Sequence, residues 1–346
     1  MHRTNYLAAT TLLAGALAAA PKHVHADISV TITPDRPTLG KRDDVTVTVT
    51  LANTGTAPAR IATGHTPFGP EEAALFDITR DGQPVRYLGR KVKRAPPGEA
   101  DTLLLAPGET RSARVELSST YDMAATGAYA VRYRDAAPAA IARSGSGAIV
   151  SNTAAIFIEG RLPRGTAMPL LAAPSGSGLT YANCSNAQQT TIADALAAGN
   201  GMAANGHAYL TSGKEQGQRY TNWFGALDAA REGTVKQHFT AIKEAFETKP
   251  VKVDCGCDED YFAYVYPAQP YTIYVCNAFW SAPMTGTDSK GGTLLHEMSH
   301  FDIVAGTDDH VYGQQGAAEM ARTAPQRAIN NADSHEYFGE NSPPLN

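Results

Sequence analysis

The sequence predicts two domains of different class, an all-β immunoglobulin-like sandwich over residues 27–160 and an α+β domain over 179–346, joined by a linker at 161–178. Three observations carry this. The first half alternates β-branched residues with Thr and Ser at period two, the second half switches to helical spacing, and a stretch rich in Pro and Gly separates them. A chain of 346 residues is long enough for two domains of ordinary size.

Residues 1–26 stand outside both domains. Met1-His2-Arg3 gives a short positive start, Tyr6 to Ala20 is a run of apolar and small residues, and Val24-His25-Ala26 ends on a small residue before Asp27. That order is the layout of a secretory signal peptide cut after Ala26, with Ala20 a second candidate site. The run is too short and too rich in alanine for a good membrane anchor, and no other segment approaches a transmembrane span. The mature chain is therefore expected to be exported, with no membrane partner.

Strands are expected at Ile28 to Ile32, Val45 to Leu51, Leu75 to Thr79, Val85 to Leu88, Arg111 to Leu117, Ala128 to Tyr133 and Ala154 to Ile158. Asn53-Thr54-Gly55, Asp81-Gly82 and Pro107-Gly108 punctuate them. Around seven short strands with turn signals indicate a sandwich, although the Cys and Trp hallmarks of an antibody domain are missing. No catalytic constellation lies here, so binding, folding assistance or inhibition is the expected role. Pro163, Pro169 and Pro174, with Gly165 and Gly176, then make an exposed connector that is easily nicked. A β module, a cleavable linker and an acidic module in that order are the parts of a zymogen, with the first module as intramolecular inhibitor.

Beyond the linker, Ser185 to Asn205 and Trp223 to Phe246 have helical spacing, the latter placing Phe239, Ile242 and Phe246 at i, i+3 and i+7 before Pro250 stops it. Val251 to Cys255, Tyr261 to Tyr266 and Tyr271 to Cys276 are expected as a small antiparallel sheet. Residues 27–165 carry 17 Lys+Arg against 15 Asp+Glu, while residues 166–346 carry 10 against 19. The second half is thus acidic by nine, which argues against nucleic acid as a partner and favours cationic ones. The four cysteines, Cys184, Cys255, Cys257 and Cys276, fit an oxidising compartment. A bridge from Cys255 to Cys257 would close a very small ring, which leaves Cys184 to bond one of these two and Cys276 the other.

The chemistry concentrates at His296-Glu297-Met298-Ser299-His300. H-E-x-x-H puts both imidazoles on one face of a helix at a separation suited to one Zn2+ ion, with Glu297 beside the ion as general base. Asp288 or Ser289 can cap this helix, and Gly306 is placed to end it with positive φ. A catalytic zinc site needs a third protein ligand. Ile303 and Gly306 stand where a metzincin would have Gly and His, which leaves Asp308, Asp309, His310 and Glu319 as candidates.

Gly306-Thr307-Asp308-Asp309-His310-Val311-Tyr312-Gly313 resembles G-T-x-D-x-x-Y-G, the second signature of the aspzincins, the deuterolysin-type metallopeptidases. The resemblance implies a zincin-like fold, Asp309 as third ligand with His296 and His300, and Tyr312 as a group that stabilises the transition state. Asp308 and His310 then stand beside the ligand set or at the surface, and Glu319 is structural. Tyr220-Thr221-Asn222-Trp223-Phe224-Gly225 is similar to the family's Y-x-x-W-F-G segment. The cysteine positions are similar to those of the peptidyl-Lys metalloendopeptidase branch, which implies Cys184 bonded to Cys255 and Cys257 to Cys276. In that branch two acidic residues line the pocket for a lysine side chain, and they carry over onto Asp333 and Glu336 of Asn331-Ala332-Asp333-Ser334-His335-Glu336.

What the resemblance implies is a secreted zinc metalloendopeptidase cutting proteins on the amino side of lysine. A loop at Lys91-Val92-Lys93-Arg94 is expected to offer lysine to the acidic pocket from the inhibitory module. Residues 94–213 contain no lysine, so a strictly lysine-specific enzyme does not trim its own linker. Either Arg161 or Arg164 is accepted, or another protease matures the chain. The rival readings are a broad deuterolysin-like endopeptidase and a secreted binding protein whose working part is the sandwich.

Overall fold

The computed structural model of the chain describes residues 27–69, 71–134, 150–166, 174, 176, 178–212 and 217–345. The signal peptide expected at 1–26, and residues 167–173, 175 and 177 of the linker, lie outside the described residues.

The first half is all β. Its strands are β1 (Ile28–Pro34), β2 (Thr38–Leu39), β3 (Thr46–Asn53), β4 (Ala59–Ala62), β5 (Phe76–Arg80), β6 (Gln83–Pro84), β7 (Lys91–Lys93), β8 (Thr102–Leu105), β9 (Thr110–Glu116), β10 (Gly127–Tyr133) and β11 (Ala154–Ile158). Three form a sheet in the order β1-β3-β9, five a sheet in the order β2-β11-β10-β5-β6, and β4 pairs with β8. Period-two alternation decides which side is core: in β3, Val47, Val49 and Leu51 are buried while the threonines between them are half-buried. They share one apolar cluster with Tyr129 and Val131 of β10 and with Ile156 and Ile158 of β11. The strand expected at Val85 to Leu88 does not form: the two-residue β6 precedes it, and the span itself holds one bridge from Tyr87 to Tyr121. β4 and β8, Ala-Arg-Ile-Ala and Thr-Leu-Leu-Leu, carry no alternation that would have announced them.

The second half runs β12 (Gly178–Ala182), α1 (Asn186–Thr211), α2 (Gln218–Phe224), α3 (Ala229–Thr248), β13 (Pro250–Asp254), β14 (Ala263–Val265), β15 (Thr272–Val275), α4 (Asn277–Ser281), α5 (Lys290–His300), α6 (Gln314–Thr323), α7 (Pro325–Ala328) and α8 (Ala332–Glu340). Ser185 and Gln188 form a reciprocal capping box that starts α1. The helical stretch expected from Trp223 to Phe246 is broken at Gly225, whose φ is +84° and where a Cβ would lie 2.3 Å from the Ala321 carbonyl oxygen. Phe239 and Ile242 of α3 are fully buried against α1 and α8 in a second apolar cluster, distinct from that of the first half.

The sheet of this half is mixed, where an antiparallel one was expected. β12, β13 and β15 are parallel, and only β14 runs against them. Three helices separate β12 from β13 in sequence, and a helical crossover returns the chain to the same end of the sheet, which makes the pair parallel. Disulfides join Cys184 to Cys255 and Cys257 to Cys276.

The segment Lys91-Val92-Lys93, expected as a loop of the first module, is the outer strand of this second sheet, whose order is β12-β13-β15-β14-β7. It runs antiparallel to β14, with Lys93 opposite Ala263, Val92 opposite Tyr264 and Lys91 opposite Val265. All three residues are buried, yet Val92 belongs to neither apolar cluster. The stretch expected as a linker at 161–178 therefore lies between the two cores, yet a strand from before it belongs to the sheet that follows it.

Candidate active site

Helix α5 carries the H-E-x-x-H residues and is buried along its whole length. Ser289 caps it by accepting a hydrogen bond from the Gly292 amide at 3.0 Å, while Asp288 turns elsewhere. Gly199 of α1 and Gly291 of α5 let the two helices touch backbone to backbone, since a Cβ at Gly199 would lie 2.9 Å from the Gly291 carbonyl oxygen. The helix ends at His300, not at Gly306: Phe301 is already extended, and Gly306, with φ +60°, turns the chain afterwards. The Thr307 amide then donates to the Ser299 carbonyl at 3.1 Å, which folds the segment back along the histidine face.

This return brings His296, His300 and Asp309 together, all buried. The Nε2 atoms of the two histidines are 3.1 Å apart, and Asp309 lies 3.1 Å from the first through Oδ1 and 3.3 Å from the second through Oδ2. The Nδ1 atoms face the far side. His300 Nδ1 lies 2.8 Å from the Thr307 carbonyl oxygen, and His296 Nδ1 lies 3.0 Å from Asp333 and 3.2 Å from Glu336. The Nε2 atoms of both rings thus converge on a common point, while Nδ1 of His300 is held by an acceptor and Nδ1 of His296 faces two carboxylates without a directed hydrogen bond, an arrangement compatible with a metal-bound imidazole pair. Both Asp309 oxygens are buried without a directed hydrogen bond. Burial alone would raise the Asp309 pKa, but the two imidazoles outweigh it and hold the carboxyl ionised. Two nitrogens and a buried anionic oxygen, converging on one point, fit a divalent metal ion.

Glu297 and Tyr312 border the same point. Both Glu297 oxygens are buried without a hydrogen-bond partner among the described residues. Burial drives this carboxyl well above its ordinary range, reinforced by Asp309 and Glu336 and opposed by His296 and Lys93. A carboxylate left this way is a strong proton acceptor. Burial likewise raises the Tyr312 phenol, with Asp309, Asp333 and Glu72 adding to it, so the hydroxyl remains a donor. It donates to the Val92 carbonyl of β7 at 2.7 Å.

Asp333 and Glu336, one turn apart on α8, face the same way and are both buried. Between them sits the Lys93 ammonium, 3.0 Å from Asp333 Oδ1, 2.7 Å from Glu336 Oε2 and 3.2 Å from Asp288 Oδ1. The rings of Phe262 and Tyr337 wall the stem, with Nζ 5.7 and 5.4 Å from their centroids. Burial alone would strip the ammonium of its proton, but Asp333 and Glu336 hold its pKa well above the usual lysine value. His296, Asp333 and Glu336 also form a donor cluster of their own, yet the cation seated there is this ammonium.

A family model described as lysine-specific metallo-endopeptidase, that of the aspzincins, matches residues 209–340. An extracellular protease of Aeromonas hydrophila is 44% identical over 344 residues, spanning 97% of this chain and 97% of that protein. The chain belongs to the aspzincin metalloendopeptidase family. A peptidyl-Lys metalloendopeptidase of Armillaria mellea is 34% identical over 310 residues, 87% of this chain and 88% of that protein. Among solved structures, a zinc peptidase from Grifola frondosa, 44% identical in sequence, covers 47% of this chain and 100% of its own with a TM-score of 0.46.

Of the aspzincin residues singled out above, Glu319 spends its carboxylate on Arg322 at 3.1 Å, and His310 is buried with its amide donating to Asn331 Oδ1. Asp308 is not a free surface residue; it pairs with Lys91 at 2.8 Å. Sequence reasoning missed Asn331, whose side-chain oxygen accepts from the His310 and Val311 amides and so fixes the turn that presents Asp309 and Tyr312. It also missed Asp288 as a wall of the lysine pocket. Asn331 opens the N-A-D-S-H-E segment, and that adjacency was the only available signal.

Proposed function

We propose that this aspzincin is a secreted zinc metalloendopeptidase, made as a zymogen, that hydrolyses peptide bonds on the amino side of lysine. One observation carries the reading: Lys93 lies between Asp333 and Glu336 while the carbonyl of the residue before it, Val92, accepts from Tyr312. A lysine side chain, its preceding carbonyl and a hydroxyl donor stand in the order that a cut before lysine requires. Two buried carboxylates offset the desolvation of an ammonium and are left unpaired by a neutral side chain, which is the physical basis of selectivity.

His296, His300 and Asp309 would hold the zinc, which would supply Lewis acidity at the scissile carbonyl. Glu297 takes a proton from the attacking water and delivers it to the lysine nitrogen as the C–N bond breaks. Tyr312 donates to the oxygen on which negative charge develops. The same strand placement makes β7 the inhibitor of the unprocessed chain, because an extended segment already fills the cleft. The two disulfides and the N-terminal signal layout support secretion.

Metal content and cut-site mapping on a denatured protein test the reading. The processed chain should hold one zinc and release peptides beginning with lysine; cuts spread over many residue types would replace it with a broad endopeptidase. Glu297→Ala should keep the zinc and lose roughly 10³-fold or more in kcat, in line with the loss of a general base whose role is not otherwise covered.

A further inference from the structure

β7 fills two sockets, and the reading above uses one. Successive side chains of a strand point to opposite faces, so Lys91 and Lys93 share the face that Val92 leaves, about 6.6 Å apart along the strand. Lys91 is as deliberately housed as Lys93. Its ammonium lies 2.8 Å from Asp308 Oδ1 and donates to the Thr307 carbonyl at 2.7 Å, with 7% of the side chain exposed.

We infer that Asp308 and the Thr307 carbonyl form a second recognition site, selecting a basic side chain two residues before the cleaved bond. The inference rests on the lysine-directed endopeptidase proposed above, which sets Val92–Lys93 in the position of the cleaved bond.

Three features support it. Asp308 and Asp309 are consecutive in a bridged, extended segment, so that Asp309 turns to the histidines while Asp308 turns to β7. The cations that Asp308 meets, Lys91 and more distantly Arg134 at 3.8 Å, both belong to the first half; once that half departs, the Asn330 side-chain amide at 3.3 Å remains. A quarter-exposed carboxylate is then open to the next basic side chain laid along β14. Finally, the Thr307 carbonyl that receives Lys91 also meets His300 Nδ1, which fixes the socket relative to the metal-ligating face. Arg90 is also paired, with Glu259 at 2.8 Å, but that carboxylate side chain is 41% exposed, and pairs so open to water contribute little. Asp308 is the carboxylate that can discriminate.

Three peptides test this, each with a single lysine preceded by valine and differing only in the residue before valine: Arg, Gln or Glu. Arginine replaces lysine there so that no second cutting site is created. Processed wild-type chain should cut all three between valine and lysine, with kcat/KM for the Arg peptide about tenfold above Gln and Glu lower still, as expected for one partly desolvated charge pair. Asp308→Asn should bring the Arg-to-Gln ratio near unity, and Asp308→Lys should invert the order in favour of Glu, which mere loosening of the fold would not do. Equal wild-type rates on Arg and Gln, or an Arg-to-Gln ratio that survives Asp308→Asn, overturn the inference. Cleavage of none of the three before lysine overturns the lysine-directed reading together with it.

Discussion

β13 and β7 lie in one five-stranded sheet, yet β13 buries Val251 and Val253 in the core of its own half, whereas β7 buries Lys91 and Lys93 against carboxylates of the other half. Apolar burial has no single partner to lose, and it holds wherever water is excluded. A buried ammonium depends on named carboxylates, and either side left alone is costly. The sheet therefore has members whose side chains are held by apolar burial and one whose end side chains are held by matched charges.

Removing the charge that matters most gives the sharpest challenge to this contrast. Lys93→Ala strands Asp333 and Glu336 and should weaken the seating of β7 by about 3–5 kcal/mol. Unprocessed chain should then cut a lysine peptide at a rate close to that of processed enzyme; an unprocessed variant as silent as wild type would break the comparison. Val253→Ala tests the other strand. It should cost about 2 kcal/mol in unfolding by denaturant while the unprocessed chain stays silent, because the cavity lies in the core and not at the joint. Lys91→Ala should weaken β7 by only about 1 kcal/mol, since Asp308 keeps water and Arg134 within reach, and should show as a faint rise in basal activity.

A separate effect, read only against pH, concerns Glu340, which accepts from the Ser289 amide and hydroxyl at the start of α5. Burial, with Glu336 nearby, raises its pKa from the usual 4.5 to about 8. The folded chain then binds this proton more tightly than the unfolded one, so its stabilising contribution is complete below pH 4.5 and is lost as pH rises through about 8. Glu340→Gln should flatten that part of the profile of Tm against pH; a slope identical to wild type would show that the carboxyl carries no such proton.

Much of the site was legible because its signals are local. H-E-x-x-H needs only helical geometry to aim two imidazoles, and the segment from Gly306 to Gly313 needs only a turn to return Asp309 and Tyr312 to them. The fold of the first half was legible where strands alternate, as in β3, β10 and β11, and was lost where they do not, as in β4 and β8. β7 is the instructive failure. Three residues, two of them charged, carry no strand periodicity, and nothing in Lys-Val-Lys tells that a partner 170 positions onward at Ala263–Val265 will pair with it. Its lysines could be linked to the acidic pocket by charge, but its backbone state depends on a surface elsewhere in the chain. The parallel pairing of β12 with β13 was hidden for a related reason, since it follows from the path of three intervening helices and not from either strand.

Strand β14 bonds β15 on one side and β7 on the other. If β7 leaves, the amides and carbonyls that β14 directs toward it lose their partners, and a bare sheet margin of this kind will accept any extended chain that reaches it. On the reading proposed above, a substrate would complete the sheet before it is cut, and so would the same margin of a neighbouring molecule. As the inhibitor in that zymogen reading, the first half would act as a chaperone for one row of peptide groups, shielding it from self-association until a substrate occupies it.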